Sequence, residues 1–340
     1  MFKISIFTCP SFTFMYIKSI YLERVIFLNI FSNPNSTIVI FGASGFLGRY
    51  IVSILSKDNC LIKVFVRKPD EAKHLTLMGK LGQVEVHQGN ITDKNSVKKV
   101  VSGANKVINL VGILEEKSQQ KFNSIHIDGA SNIAEACLRH KIDILIHISA
   151  LGLYDGKHSK YANSKLAAEE KIKKIFRKTI ILRPSVIFGP EDDFTNKFAK
   201  MASISPFIPL INNGLTRFQP VYVKDIAKAV YVVINNNKYL GHTYSLGGPE
   251  VISFKEIIDL ILLKINKKRI YIRLSFPMIK LIAILFSVFP SAPITLDQAR
   301  LLEKDNIVPE KEKGFKELGI KPESIFSSAE EHLSRYISRY

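Results

Sequence analysis

The sequence feature that most limits what this chain can become runs from Ile38 to Arg49: Ile38-Val39-Ile40-Phe41-Gly42-Ala43-Ser44-Gly45-Phe46-Leu47-Gly48-Arg49. Thr37 to Phe41 is apolar and β-branched, the composition of a buried strand. Glycines follow at i, i+3 and i+6, and Tyr50 to Leu55 continues with helical spacing. Strand, glycine turn and helix in direct succession is the context a dinucleotide-binding loop needs. Gly42 permits the tight turn, Gly45 lets the backbone approach a pyrophosphate, and Gly48 lets the helix pack close on the strand. The helix start offers free N–H groups and a positive dipole end to phosphate. Gly42, Ser44, Gly45, Phe46, Leu47, Gly48 and Arg49 are therefore candidate cofactor contacts.

From Thr37 the pattern alternates. Strands are expected at Leu61–Val66, Val84–His87, Lys106–Val111, Ile142–Ile148 and Thr179–Leu182 after the first. Helices are expected at Gly45–Ser56, Asp70–Gly79, Asn95–Ser102, Gln119–His140 and Ser159–Arg177. Such alternation predicts a Rossmann-type, doubly wound parallel α/β sheet over 36–183. Past Arg183 the regularity breaks, and 184–340 reads as a smaller C-terminal α/β lobe, interleaved with the first domain, closing over the ligand edge of the sheet.

The end of the second strand bears on the choice of cofactor. An NAD site usually places an acidic residue there, about twenty residues past the glycines, to bond the ribose 2′-hydroxyl. This strand ends Val66-Arg67-Lys68-Pro69. A guanidinium at Arg67 suits a 2′-phosphate, and Arg49 can add a second positive charge, so NADP(H) is favoured over NAD(H). Asn90 and Ile91, after the third strand, sit where an adenine edge would lie. Asp93 sits there too, or else caps the next helix.

The net charge is +18. It fits an acidic partner or anionic membrane surface, and equally a Lys-rich compositional bias. Basic residues are spread and no nucleic-acid motif is present. Lys171, Lys173, Lys174, Arg177 and Lys178 read as a solvated helix face. Cys9, Cys60 and Cys137 lack paired spacing, which argues against a disulfide framework or zinc site and suits a reducing compartment. Residues 1–35 are aromatic and isoleucine-rich, too interrupted for a spanning helix. Three readings stand for them: a membrane-surface anchor, an organelle-targeting segment, or a non-native upstream start. The apolar stretch 277–290, ended by Pro290 and Pro293, is also too short to span; it suits a membrane interface, a partner subunit, or the lobe's own core.

Tyr161 and Lys165 lie four apart at the start of a helix after the fifth strand, on one face. A nearby ammonium stabilises a phenolate, so such a tyrosine can shuttle a proton while hydride moves to or from a nicotinamide. Here the chain resembles the extended short-chain dehydrogenase/reductase family over roughly residues 36 to 330. The resemblance rests on the glycine loop, Asn109-Leu110-Val111-Gly112, the Tyr161/Lys165 pair, and Arg183-Pro184-Ser185-Val186-Ile187-Phe188-Gly189-Pro190. It implies cofactor contacts at Leu110, Val111, Gly112, Tyr161, Lys165 and Pro184. It also implies a catalytic serine and an asparagine on the preceding long helix. This chain carries His126 where that asparagine usually stands. The serine's place falls at Ala150, with Ser149 one residue early as the candidate.

These departures give a narrower resemblance, to the atypical branch that includes the NADPH-binding accessory subunit of respiratory complex I. Supporting stretches are Phe218–Ala227, Tyr244–Glu250, and Thr295-Leu296-Asp297-Gln298-Ala299-Arg300-Leu301-Leu302 with Asp305-Asn306-Ile307-Val308; the last pair is the most specific. The resemblance implies a nucleotide held as a structural ligand, complex I subunits as partners, and a peripheral place on the matrix or bacterial cytoplasmic side of the inner membrane. The rival expectations are a working NADPH-dependent reductase or epimerase/dehydratase using Tyr161 and Lys165, and a nucleotide-gated interaction module.

Overall fold

A computed structural model of the chain describes residues 36–117, 120–154, 159–285 and 296–337. The expectations for 1–35 and for 286–290 fall outside these residues.

Seven parallel strands form the central sheet: β1 (Ser36–Phe41), β2 (Cys60–Val66), β3 (Val84–Gln88), β4 (Lys106–Asn109), β5 (Ile144–Ile148), β6 (Ile180–Pro184) and β7 (Thr243–Leu246). Their order is β7-β6-β5-β4-β1-β2-β3, so the winding reverses beside β1. In register, Ile40 lies opposite Val64 on one side and Ile108 on the other. Neighbouring residues on a strand face opposite ways. Ile38 and Ile40 join Ile51, Val52 and Leu55 in one apolar layer. Val39 and Phe41 join Val97, Ile133, Leu145 and Ile172 in the other. Both faces are covered, as an all-parallel sheet demands.

The covering helices are α1 (Phe46–Leu55), α2 (Lys94–Val101), α3 (Ala130–Arg139) and α4 (Lys160–Ile175). Beyond β6 come α5 (Asp193–Ile204), α6 (Val223–Ile234), α7 (Phe254–Lys264), α8 (Phe276–Leu285) and α9 (Leu296–Leu301). A third apolar cluster, with Phe188, Leu210, Phe218, Tyr222, Phe254 and Ile258, forms from residues past the sixth strand.

Two expected helices differ in kind. Pro69–Met78 is a 3-10 run. Its inward side chains are Ala72, Leu75 and Met78, a spacing of three that matches the 3-10 period and not 3.6. The long helix is interrupted: Asn123–Gly129 is π-helical before α3 begins. Gly129 lies in that wide run because a Cβ there would sit 2.4 Å from Ile91 Cδ1. Strand β4 stops at Asn109, short of the expected Val111, because the Asn109 side chain accepts the Val111 N–H at 3.0 Å and turns the chain.

Candidate functional site

The glycine loop closes on itself. Gly42 has φ +79°, the left-handed region, and the Gly45 N–H donates to Gly42 O at 3.2 Å. A Cβ on Gly42 would reach 3.0 Å from Val111 Cγ2, which places Leu110 and Val111 against the loop. A Cβ on Gly48 would lie 2.3 Å from Ala43 O, so α1 is seated directly on the turn. No side chain caps the start of α1. Its first-turn N–H groups, from Phe46 to Gly48, are left for an anion at the edge of the sheet.

Arg67 follows β2 with its side chain exposed. Among the described residues no carboxylate pairs with its guanidinium, whereas Lys68 is bound to Glu71 at 2.8 Å. Arg49 is engaged: its Nη1 lies 3.5 Å from Glu191, which also accepts the Tyr50 hydroxyl at 2.7 Å. Asp93 takes the capping role, accepting the Asn95 and Ser96 N–H groups at 3.0 and 3.2 Å. Asn90 is exposed beside it and accepts the Thr92 N–H at 3.1 Å. Ile91 is buried, its carbonyl taken by Asn132 at 2.9 Å.

The second half of the site gathers under α4. Tyr161 packs edge-on against Phe122 and His126, with ring centroids 6.0 and 5.5 Å away. Desolvation pushes its hydroxyl up to about 12. Lys165, its expected partner, is buried: its ammonium donates to Ile148 O at 3.1 Å and lies 3.2 Å from the place of a Gly112 Cβ. His126 is closed on both sides. Its Nε2 accepts the Ile113 N–H at 3.0 Å, and its Nδ1 meets Ser164 Oγ at 2.8 Å. Ser164 donates to Tyr161 O at 2.8 Å, so Nδ1 carries the ring proton and His126 is neutral. Burial first, then Lys165, lowers its pKa to about 3. Ser149 hands its backbone N–H to Leu182 O at 2.8 Å, while its Oγ is buried with no partner among the described residues. Pro184 ends β6 nearby, accepting the Leu151 N–H at 2.9 Å.

Two further polar groups here escape a sequence reading. His147, on β5, meets Asn109 Nδ2 through Nδ1 at 3.1 Å, and its Nε2 is buried without a partner. Burial holds its pKa well below the ordinary histidine range. Glu169 lies one helical step beyond Lys165 and grips Arg183 through two bonds of 3.0 and 2.6 Å. The i, i+4, i+8 spacing of Tyr161, Lys165 and Glu169 was the available signal.

Burial lowers the Lys165 pKa from 10.5 to about 8. The unfolded chain keeps this proton to higher pH than the folded one, so stability rises with pH between these values. Lys165→Met is therefore expected to stabilise the nucleotide-free chain at pH 7, by on the order of 2 kcal/mol. It should also flatten the rise between pH 8 and 10 in urea melts. Equal pH profiles for the two proteins would mean that Lys165 is not desolvated.

The residues present fit a dinucleotide. The glycine cradle has no room for a Cβ at Gly48 and holds Gly42 at a left-handed φ, the α1 start offers uncapped N–H groups, and Ser149, Tyr161 and Lys165 hold spare polar capacity at the far end. Residues 38–247 match the NAD dependent epimerase/dehydratase family, and the chain belongs to it. Within curated proteins it is 34% identical over 309 residues to NADH dehydrogenase (ubiquinone) 1 alpha subcomplex subunit 9, mitochondrial, of Arabidopsis thaliana, covering 87% of this chain and 77% of that one. The Mus musculus protein of the same name is 31% identical over 300 residues, covering 87% and 79%. Among solved structures, a dTDP-glucose 4,6-dehydratase from Bacillus anthracis in complex with NAD shares the fold, with TM-score 0.68 at 16% identity, covering 88% of this chain and 96% of that one.

Proposed function

We propose that this chain is an NADP(H)-binding accessory or assembly-type subunit of respiratory complex I that holds its nucleotide mainly as a structural ligand. The observation that carries the reading is the closure of the Tyr161 cluster. The phenol is a weaker acid than a free tyrosine, Lys165 is bonded to a main-chain carbonyl, and both nitrogens of His126 are engaged. A working acid/base pair needs the opposite: a phenol poised near the working pH and a path for its proton. The relatives' names support the choice of complex. Bound nucleotide would stabilise the folded chain by linkage. The division at residue 183 then separates a nucleotide-holding part from a part that shapes the site's other side.

The same reading places the chain on the matrix or bacterial cytoplasmic side, peripheral to the inner membrane. Among the described residues no helix is long and apolar enough to cross a membrane. Phe207 and Ile270 are register partners on a parallel strand pair, Phe207–Ile211 with Ile270–Leu274. With Ile272, and with Met278 and Leu281 of α8, they are exposed apolar side chains. Ile279 is buried, between exposed Met278 and Leu281. Exposed Lys268 and Arg273 beside them suit an anionic surface.

The test is to purify the tagged protein from gently solubilised membranes and identify the co-purifying chains and released nucleotide. Complex I subunits together with NADPH are expected; a free protein without them overturns the reading. The preference for NADP(H) rests on Arg67, which has no acidic competitor among the described residues. Arg67→Asp is expected to weaken NADPH binding by roughly tenfold or more, about 1.4 kcal/mol, while NADH affinity changes little. Unchanged NADPH affinity by calorimetry would remove Arg67 from the site.

One observation favours a second reading. Tyr161, Lys165 and Ser149 are all retained at one edge of the sheet, which suits an NADPH-dependent reductase or epimerase. There the nucleotide would supply hydride and Tyr161 the proton. Substrate-dependent loss of NADPH absorbance, abolished by Tyr161→Phe, would support it.

A further inference from the structure

We infer that Asp297 and Asn306, far along the chain from every nucleotide motif, are the residues that position the nicotinamide side of the site. The inference rests on the nucleotide-holding part of the function proposed above.

Asp297 sits in α9, yet its carboxylate caps α4. Oδ1 accepts the Lys160 N–H at 2.8 Å, and Oδ2 accepts the Tyr161 N–H at 3.0 Å and the Ser159 hydroxyl at 2.7 Å. Ser159 in turn accepts the Ala162 N–H at 3.1 Å. The helix that carries Tyr161 and Lys165 thus has its first-turn donors satisfied by a group 136 residues downstream. The position of that helix along its axis is then fixed by the downstream segment as well as by its own packing.

Asn306 does the same for the loops after β5 and β6. Its Nδ2 donates to Leu151 O at 3.0 Å, and its Oδ1 accepts the Ser185 hydroxyl at 2.6 Å. Its main chain bonds Arg217 O and the Gln219 N–H at 2.8 and 3.1 Å. Gly152, at φ +75°, is pressed so close that a Cβ would lie 2.9 Å from Asn306 Nδ2. Leu151 also donates to Pro184 O at 2.9 Å, so one side chain ties both loop exits together. Asp305 anchors the segment through two bonds to the Arg217 guanidinium at 2.9 and 2.7 Å.

These contacts straddle the C-terminal ends of β5 and β6, where Ser149 and Pro184 lie. They touch nothing in the glycine loop, Arg67 or Asn90, which face the other half of a dinucleotide. Disturbing the segment should loosen the nicotinamide end and leave the adenine end alone. A residue with a purely structural role would weaken both.

The experiment compares NADPH with 2′-phospho-ADP-ribose, a fragment that lacks nicotinamide, on the full chain by calorimetry. Asp297→Ala and Asn306→Ala are each expected to lower NADPH affinity at least tenfold with fragment affinity unchanged. Asp297→Asn, which keeps an acceptor, should recover part of the loss. In parallel, hydrogen exchange should quicken at the Lys160 and Tyr161 amides in Asp297→Ala and at residues 149–154 in Asn306→Ala. Equal losses for both ligands, or none for either, would overturn the inference. Should the unaltered chain bind neither ligand, the nucleotide reading itself falls. The exchange arm then still decides on the contacts, since unchanged protection at those residues in both variants would refute the positioning role. Should one variant fail to fold, the other carries the test alone.

Discussion

Glu169→Ala is expected to destabilise the chain by about 3 kcal/mol or more, because it leaves the Arg183 guanidinium buried beside an empty partner position. Glu169 is 3% exposed and Arg183 8%. Their two-point pairing outweighs the desolvation of Arg183 and raises its pKa. The remaining neighbours are poor substitutes. Tyr154 accepts from the guanidinium at 2.9 Å through a hydroxyl and not a carboxylate, and Glu312 lies 3.8 Å away while bonded to Ser245. The loss should therefore fall within what a broken buried pair costs, roughly 3 to 5 kcal/mol. Glu169→Leu with Arg183→Met should be less damaging than Glu169→Ala alone, since no unpaired charge remains. Urea melts of Glu169→Ala, the double variant and its two single changes check this. A double variant as unstable as the sum of the two single changes would mean that shape, and not the stranded charge, dominates.

The sheet was legible because its signals are local. An apolar β-branched run bounded by turns is a strand whatever lies elsewhere, and six such runs from Thr37 to Leu182 match β1 to β6 within a few residues. The seventh, Thr243–Leu246, was hidden. At four residues it is too short to show a period, and it becomes a strand only because β6 offers a parallel edge. The run at Pro69–Met78 shows a related limit. Its spacing of three was in the sequence, but helical and 3-10 periods are hard to separate over ten residues.

The site divides in the same way. The glycine loop needs only strand, turn and helix, and the structure places all three as read. Among the described residues Arg67 is exposed and without an acidic partner, whereas Glu191, distant in sequence, engages Arg49. His126 stood out in the sequence as a departure, but its neutrality depends on Ile113, Ser164 and Lys165 closing around it. Asp297 and Asn306 lay inside stretches that marked the narrower resemblance, with no sign of what they bond. A side chain that caps a helix 136 residues away leaves no periodicity to detect.

The change that bears hardest on the proposed nucleotide role is Gly48→Ala. Its new Cβ would meet Ala43 O, Cα and C at 2.3, 2.5 and 2.6 Å, all main-chain atoms that no rotamer change can move. Either α1 lifts from the turn or the turn deforms. Overpacking of this kind costs typically 1 to 3 kcal/mol, and a backbone clash belongs at or above about 3. Ser53→Ala, on the exposed face of the same helix, should stay within about 0.5 kcal/mol and serves as the control. The nucleotide readout should move further than stability does. The N–H groups proposed to meet the pyrophosphate belong to the first turn of α1, and they point correctly only while Gly48 keeps that turn seated. A displacement of a few tenths of an ångström spoils several hydrogen bonds at once, so nucleotide affinity is expected to fall by roughly a hundredfold, about 2.7 kcal/mol. Folded Gly48→Ala protein that still retains NADPH would place the nucleotide somewhere other than the glycine loop.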